Sequence, residues 1–136
     1  MKLKSLKMIL ALAVGALCWP ALAEIVVVIN PKNPATALSA EQVSQFYLGV
    51  SNSFTPVDHN DSSPLRADFY KKITHKEPGQ VRAIWAKLVF TGKGRPPKEL
   101  ASDDEVKKAV ATDPNGIGYI DKASLDASVK AVLSVP

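Results

Sequence analysis

Cysteine is almost missing. The 136-residue chain has one, Cys18, and its two methionines are Met1 and Met8. A single thiol excludes a disulfide framework and a Cys-ligated zinc site. Long apolar runs are missing too. The longest, residues 8–19, is short of the ~20 residues that cross a bilayer. Aromatic residues make up only 7% of the chain, and its glycines do not form the Gly-Lys-Ser/Thr loop that cradles nucleotide phosphates.

The charge of +4 is unevenly placed. Lys2, Lys4 and Lys7 precede the apolar run, and Ala21-Leu22-Ala23 follows it. A basic start, a short apolar centre and small residues before a cleavage point read as a secretory signal peptide over residues 1–23. Leu17 before Cys18 argues against a lipid anchor, where a small residue is normal. Removing the leader leaves 113 of the 136 residues, with 14 basic residues against 13 acidic ones. The basicity therefore belongs to the leader, which excludes a basic nucleic-acid binder. Residues 24–136 are expected to form one domain with a single core.

The unbroken β-branched run Ile25-Val26-Val27-Val28-Ile29 predicts a central strand covered on both faces. Asn30-Pro31 and Asn33-Pro34 break the chain. Ser39 and Gln42 form a capping box opening a helix with Val43, Phe46 and Tyr47 on its inner face, and Gly49 ends it. Phe54 to Val57 predicts a short strand, placed at an edge or in a short pairing by Pro56. Asp58 to Pro64 reads as a loop entering a helix, with Ser63 as N-cap and Pro64 at the first helical position. Pro78 opens a third helix with Val81, Ile84, Trp85 and Leu88 inward. Residues 91–97 read as a loop, Ser102 and Glu105 as a second capping box, and Asp113-Pro114-Asn115-Gly116 as a turn. Strands over residues 117–120 and 129–135 close the chain. Strands alternating with helices predict an α/β fold with a three-layer α/β/α arrangement.

The stretch richest in chemistry is Asp61-Ser62-Ser63-Pro64. A helix start offers unpaired N–H groups and partial positive charge, and two hydroxyls there make an oxyanion site. The plainer reading is a serine N-cap with no ligand. Thr91-Gly92-Lys93-Gly94-Arg95 carries two cations on a glycine-rich loop, suited to closing over an anion or to simple exposure. His59 with Asp58 and Asp61 lacks metal-ligand spacing. His59, Ser62 or Ser63, and Asp61 are too close in sequence for a catalytic triad held by a rigid scaffold. No cofactor and no enzymatic activity are expected. Trp85 and Tyr119 read as core.

Asn30-Pro31, the helix ending Phe46-Tyr47-Leu48-Gly49, Pro56-Val57-Asp58, Ser63-Pro64-Leu65-Arg66-Ala67-Asp68-Phe69 and Pro114-Asn115-Gly116-Ile117-Gly118-Tyr119-Ile120 occur in an informative order. Together they resemble the phosphate-binding periplasmic proteins of ABC transporters, within the type 2 periplasmic-binding-protein fold. The segment around Trp85, Thr91-Gly92-Lys93-Gly94 and Pro96-Pro97 resembles short stand-alone members. The resemblance implies one lobe of that fold, a periplasmic location and phosphate or another small oxyanion as ligand. Ser62, Ser63 and the helix start are the implied contacts, with His59 at the rim and Lys93 and Arg95 as closing cations. The family's gripping Arg falls on His59, its Gly on Pro64 and its Thr on Leu65. A permanent cation, a backbone N–H and a hydroxyl are thereby lost. The alternative is a single-lobe remnant acting as an envelope interaction module, pairing with itself or another envelope protein.

Overall fold

A computed structural model describes residues 24–136; the signal-peptide reading of residues 1–23 lies outside the described residues. The elements are β1 (Ile25–Ile29), α1 (Ala40–Tyr47), β2 (Thr55–His59), α2 (Pro64–Thr74), α3 (Pro78–Phe90), β3 (Lys98–Leu100), α4 (Asp103–Thr112), β4 (Gly116–Asp121) and β5 (Lys130–Val135). A 3-10 turn, Lys122–Ser124, separates the last two strands. The sheet order is β3-β2-β4-β1-β5. β1 runs antiparallel to β4 and β5, whereas β2 is parallel to β3 and β4.

β1 is buried along its whole length, as its unbroken apolar run requires. Side chains on a strand alternate between faces. Ile25, Val27 and Ile29 accordingly pack with Val43, Phe46, Tyr47, Phe69, Ile73, Val81 and Trp85 from α1, α2 and α3. Val26 and Val28 face the other way and pack with Val106 and Val110 of α4. Helices thus cover both faces of one sheet, giving the three-layer α/β/α arrangement.

Local signals place the helix ends. Ser39 Oγ accepts from Gln42 N at 3.1 Å, and Ser39 N donates to Gln42 Oε1 at 2.9 Å. α1 stops at Gly49, whose φ of 75° is left-handed. A Cβ there would also lie 2.5 Å from Leu88 Cδ1, so any larger residue would have to displace that side chain.

β2 lies inside the sheet, and of the edge or short pairing expected from Pro56 the short pairing is found: β2 meets β4 only at Thr55 and Pro56, while β3 begins opposite Val57. Two expectations change. β2 also continues through Asp58 and His59, which were expected in a loop; β3 supplies their ladder partners, Glu99 and Leu100. The expected second capping box is only half formed. Ser102 Oγ accepts from Glu105 N at 3.2 Å, but Glu105 Oε2 accepts from Ala101 N instead of Ser102 N.

Candidate functional site

Val57 packs with the α4 cluster. Alternation therefore turns Asp58 to the opposite face, among the tyrosines. Its carboxyl is 2% exposed and accepts from the hydroxyls of Tyr70 and Tyr119, and from His59 N at 2.8 Å. Tyr47 completes the group. Its hydroxyl donates to Val57 O at 2.8 Å, and its ring packs edge-on against Tyr119. Burial pushes the hydroxyl pKa values of Tyr47, Tyr70 and Tyr119 well above the ordinary range, and the Asp58 charge pushes them further.

A buried carboxyl requires a partner. Arg66, in the first turns of α2, provides it. Its side chain is 9% exposed, and Nε lies 3.7 Å from Asp58 Oδ2. Nη1 donates to Asp61 at 2.6 Å, Glu99 at 2.8 Å and the His59 carbonyl at 3.3 Å. Burial alone would lower the pKa of Arg66, but the negative charges of Asp58, Glu99 and Asp61 raise it overall. Arg82 on α3 reaches the same Asp61 oxygen at 2.7 Å. Asp61 is thus held by two guanidinium groups.

This cluster forms one end of a hollow of about 470 Å³. Its walls are Val81, Trp85, Ala86, Val89 and Phe90 of α3 together with Pro96 and Pro97. The Trp85 indole N–H is satisfied by Tyr47 O at 2.9 Å. Across the Pro96-Pro97 strap lies a second hollow of about 680 Å³. Lys93, Arg95 and Lys98 line it, with Asp113 as its one carboxylate. Ser51, Asn52, Thr55 and Thr112 add polar groups, and Phe46 and Phe54 add an aromatic wall.

The structure separates the residues singled out in sequence. Lys93 and Arg95 share the second hollow, whereas Ser62, Ser63 and His59 line neither hollow. His59 is not at a rim. It is 3% exposed on β2, with Nε2 2.8 Å from Tyr119 O and 3.5 Å from Asp103 Oδ1. The ladder to β3 holds it there. Ser62 is exposed, and its hydroxyl donates to Asn60 Oδ1 at 2.7 Å. Ser63 occupies the N-cap position of α2, but its side chain makes no capping bond. Arg66 and Asp61, rather than the serines, provide the tight polar contacts at this helix start.

Sequence reasoning passed over Asp58, Arg66, Tyr70 and Glu99 as site residues. Two signals were available: Arg66 and Tyr70 stand at i, i+4 on one face of α2, and Asp58 follows an apolar residue inside a strand. Among the described residues, no group of three or more His, Cys, Asp or Glu side chains is arranged to hold a metal ion. Among the described residues, no helix is long and apolar enough to cross a membrane.

The sequence matches no protein-family model and no curated protein. Its fold, however, is similar to solved substrate-binding proteins. An ABC-type phosphate transport receptor from Vibrio cholerae superposes with a TM-score of 0.64 at 22% identity, over 81% of this chain and 46% of the receptor. PstS from Borrelia burgdorferi superposes with a TM-score of 0.61 at 15% identity, over 81% of this chain and 47% of that one. The chain spans about half the length of the solved structures it matches and has the fold of one lobe of a phosphate-transporter substrate-binding protein.

Proposed function

We propose that this protein is an exported, non-enzymatic solute-binding-protein-like domain that takes phosphate or another small oxyanion. One observation carries the reading: the second hollow gathers Lys93, Arg95 and Lys98 against a single carboxylate, Asp113. These cations enter no ion pair or side-chain hydrogen bond among the described residues. Unpaired donors of one sign in a concave site favour an anion, whose field there is stronger than on open surface. At the start of α2, by contrast, Asp58, Asp61 and Glu99 already occupy Arg66 and Arg82. Ser62, Ser63 and His59 line neither hollow, so the anion contacts are assigned to Lys93, Arg95 and Lys98 alone. The likeness to phosphate transport receptors supports the ligand class, and the leader supports a periplasmic location.

Calorimetric titration with phosphate and sulfate at low ionic strength tests this reading. We expect heat from the folded protein that Lys93→Gln with Arg95→Gln abolishes and salt suppresses. No heat at millimolar anion, with the protein folded, refutes it.

Phe90 favours a second reading. Its ring is 92% exposed beside half-exposed Val89 at the rim of the first hollow. Large exposed apolar side chains in one place mark association surfaces. In that reading the domain is an envelope interaction module. Sedimentation decides it: self-association that Phe90→Ser removes and phosphate does not alter supports the module.

A further inference from the structure

We infer that the second hollow takes a phosphomonoester with a flat aromatic body, its phosphate on the cations and its ring against Phe54. The inference rests on the oxyanion reading of that hollow and narrows it from a bare anion to an organic phosphate.

Size carries the first step. About 680 Å³ falls within the ~300–1,000 Å³ of sites that enclose drug-sized molecules. A lone phosphate would fill a small corner of it and leave the remainder to water. The lining is divided in chemistry too. Lys93, Arg95 and Lys98 supply charge, and Phe46 and Phe54 supply an aromatic wall. The two rings lie 5.0 Å apart at 54°. Phe46 is buried in the core, whereas Phe54 packs on the outside of that core and is partly exposed. Phe54 thus keeps ring surface for a partner, and Phe46 backs it. A bare oxyanion makes no use of that surface; a flat ring does, by offset or edge-on contact.

Register sets the span. Lys98 pairs with Val57 in the ladder between β2 and β3. Phe54 precedes Val57 by three residues, about 10 Å along an extended chain. A phenyl ring bearing a phosphate, met by the reach of a lysine side chain, bridges that gap. Charge then selects the anionic group. Lys93, Arg95 and Lys98 against Asp113 leave an excess of two positive charges, three less one. A phosphomonoester carries about −1.5 to −2 near pH 7 and offsets most of that excess. A carboxylate offsets half.

Calorimetric titration of the purified protein at low ionic strength with phenyl phosphate, inorganic phosphate and benzoate is the test. Phenyl phosphate should bind about ten-fold more tightly than inorganic phosphate, through its ring. Benzoate, with the ring but a single charge, should bind about ten-fold more weakly than phenyl phosphate or worse. Phe54→Leu, which keeps an apolar side chain and removes the ring, should bring phenyl phosphate down to the affinity of inorganic phosphate. If that variant does not fold, the ranking of the three ligands on the unaltered protein still decides. Equal affinity for the two phosphates overturns the inference and leaves the oxyanion reading standing. No heat from either phosphate, with the protein folded, overturns both. Benzoate binding as tightly as phenyl phosphate overturns the inference, as does an advantage of phenyl phosphate that survives Phe54→Leu.

Discussion

Raising the pH above 10 should destabilise this protein steeply, through its tyrosines. The chain has three, Tyr47, Tyr70 and Tyr119, and each is at most 1% exposed. Burial raises the pKa of each, and Asp58 raises it further. The unfolded chain ionises its tyrosines near pH 10. A group whose folded pKa is raised contributes stability that is fully present below its unfolded pKa and is lost as pH rises toward the folded value. Here the folded values lie above the accessible range, so the loss continues as far as the fold survives. Once the unfolded tyrosines are ionised, each costs about 1.4 kcal/mol per pH unit. Integrating through the start of the titration gives about 1 kcal/mol per tyrosine between pH 10 and 11, or about 3 kcal/mol for the three. That is a large part of the ~5–15 kcal/mol that holds a typical domain together. Urea unfolding at pH 9, 10 and 11 measures the loss, and tyrosinate absorbance reports when the groups ionise. All three should ionise together with unfolding. Tyrosinate appearing near pH 10 in the still-folded protein, or stability unchanged between pH 10 and 11, would refute the reasoning.

Other substitutions separate buried from exposed contacts. Arg66→Ala leaves Asp58 as an uncompensated buried charge and should cost about 3–5 kcal/mol in urea unfolding. Arg82→Ala should cost under about 1 kcal/mol, since its ion pair with Asp61 is more than 60% exposed on both sides. Ser39→Ala should lower stability by about 1 kcal/mol through loss of the α1 cap, whereas Ser63→Ala, with no capping bond to lose, should stay within about 0.5 kcal/mol. Gly118→Ala would place a Cβ 2.6 Å from Val106 Cγ1 and 3.1 Å from Val57 Cγ2; overpacking of about 1–3 kcal/mol should appear as a lower urea midpoint.

Some features are legible because their causes are local. The all-apolar β1 run requires cover on both faces, and it has it. Ser39 and Gln42 meet within one helical turn, so their reciprocal bonds follow from three residues of spacing. Gly49 ends α1 because its left-handed φ of 75° favours glycine. Ser63 shows where this stops. Its position in the helix is correctly read, but whether its hydroxyl caps depends on the rotamer, and the side chain makes no capping bond. His59 fails for a longer-range reason. Beside Asn60 and Asp61 it looks like loop, and only β3, some forty residues later, draws it into the sheet.

The amino-acid order alone determines a buried central strand, the helix starts and an alternating α/β plan, since these depend on neighbours a few residues apart. Tertiary structure decides which charges meet. Asp58 is joined to Tyr70 and Tyr119 across separations of 12 and 61 residues, and Arg66 to Glu99 across 33. No local pattern encodes those distances. The requirement that a buried carboxyl find donors acts only after the sheet and helices have closed around it.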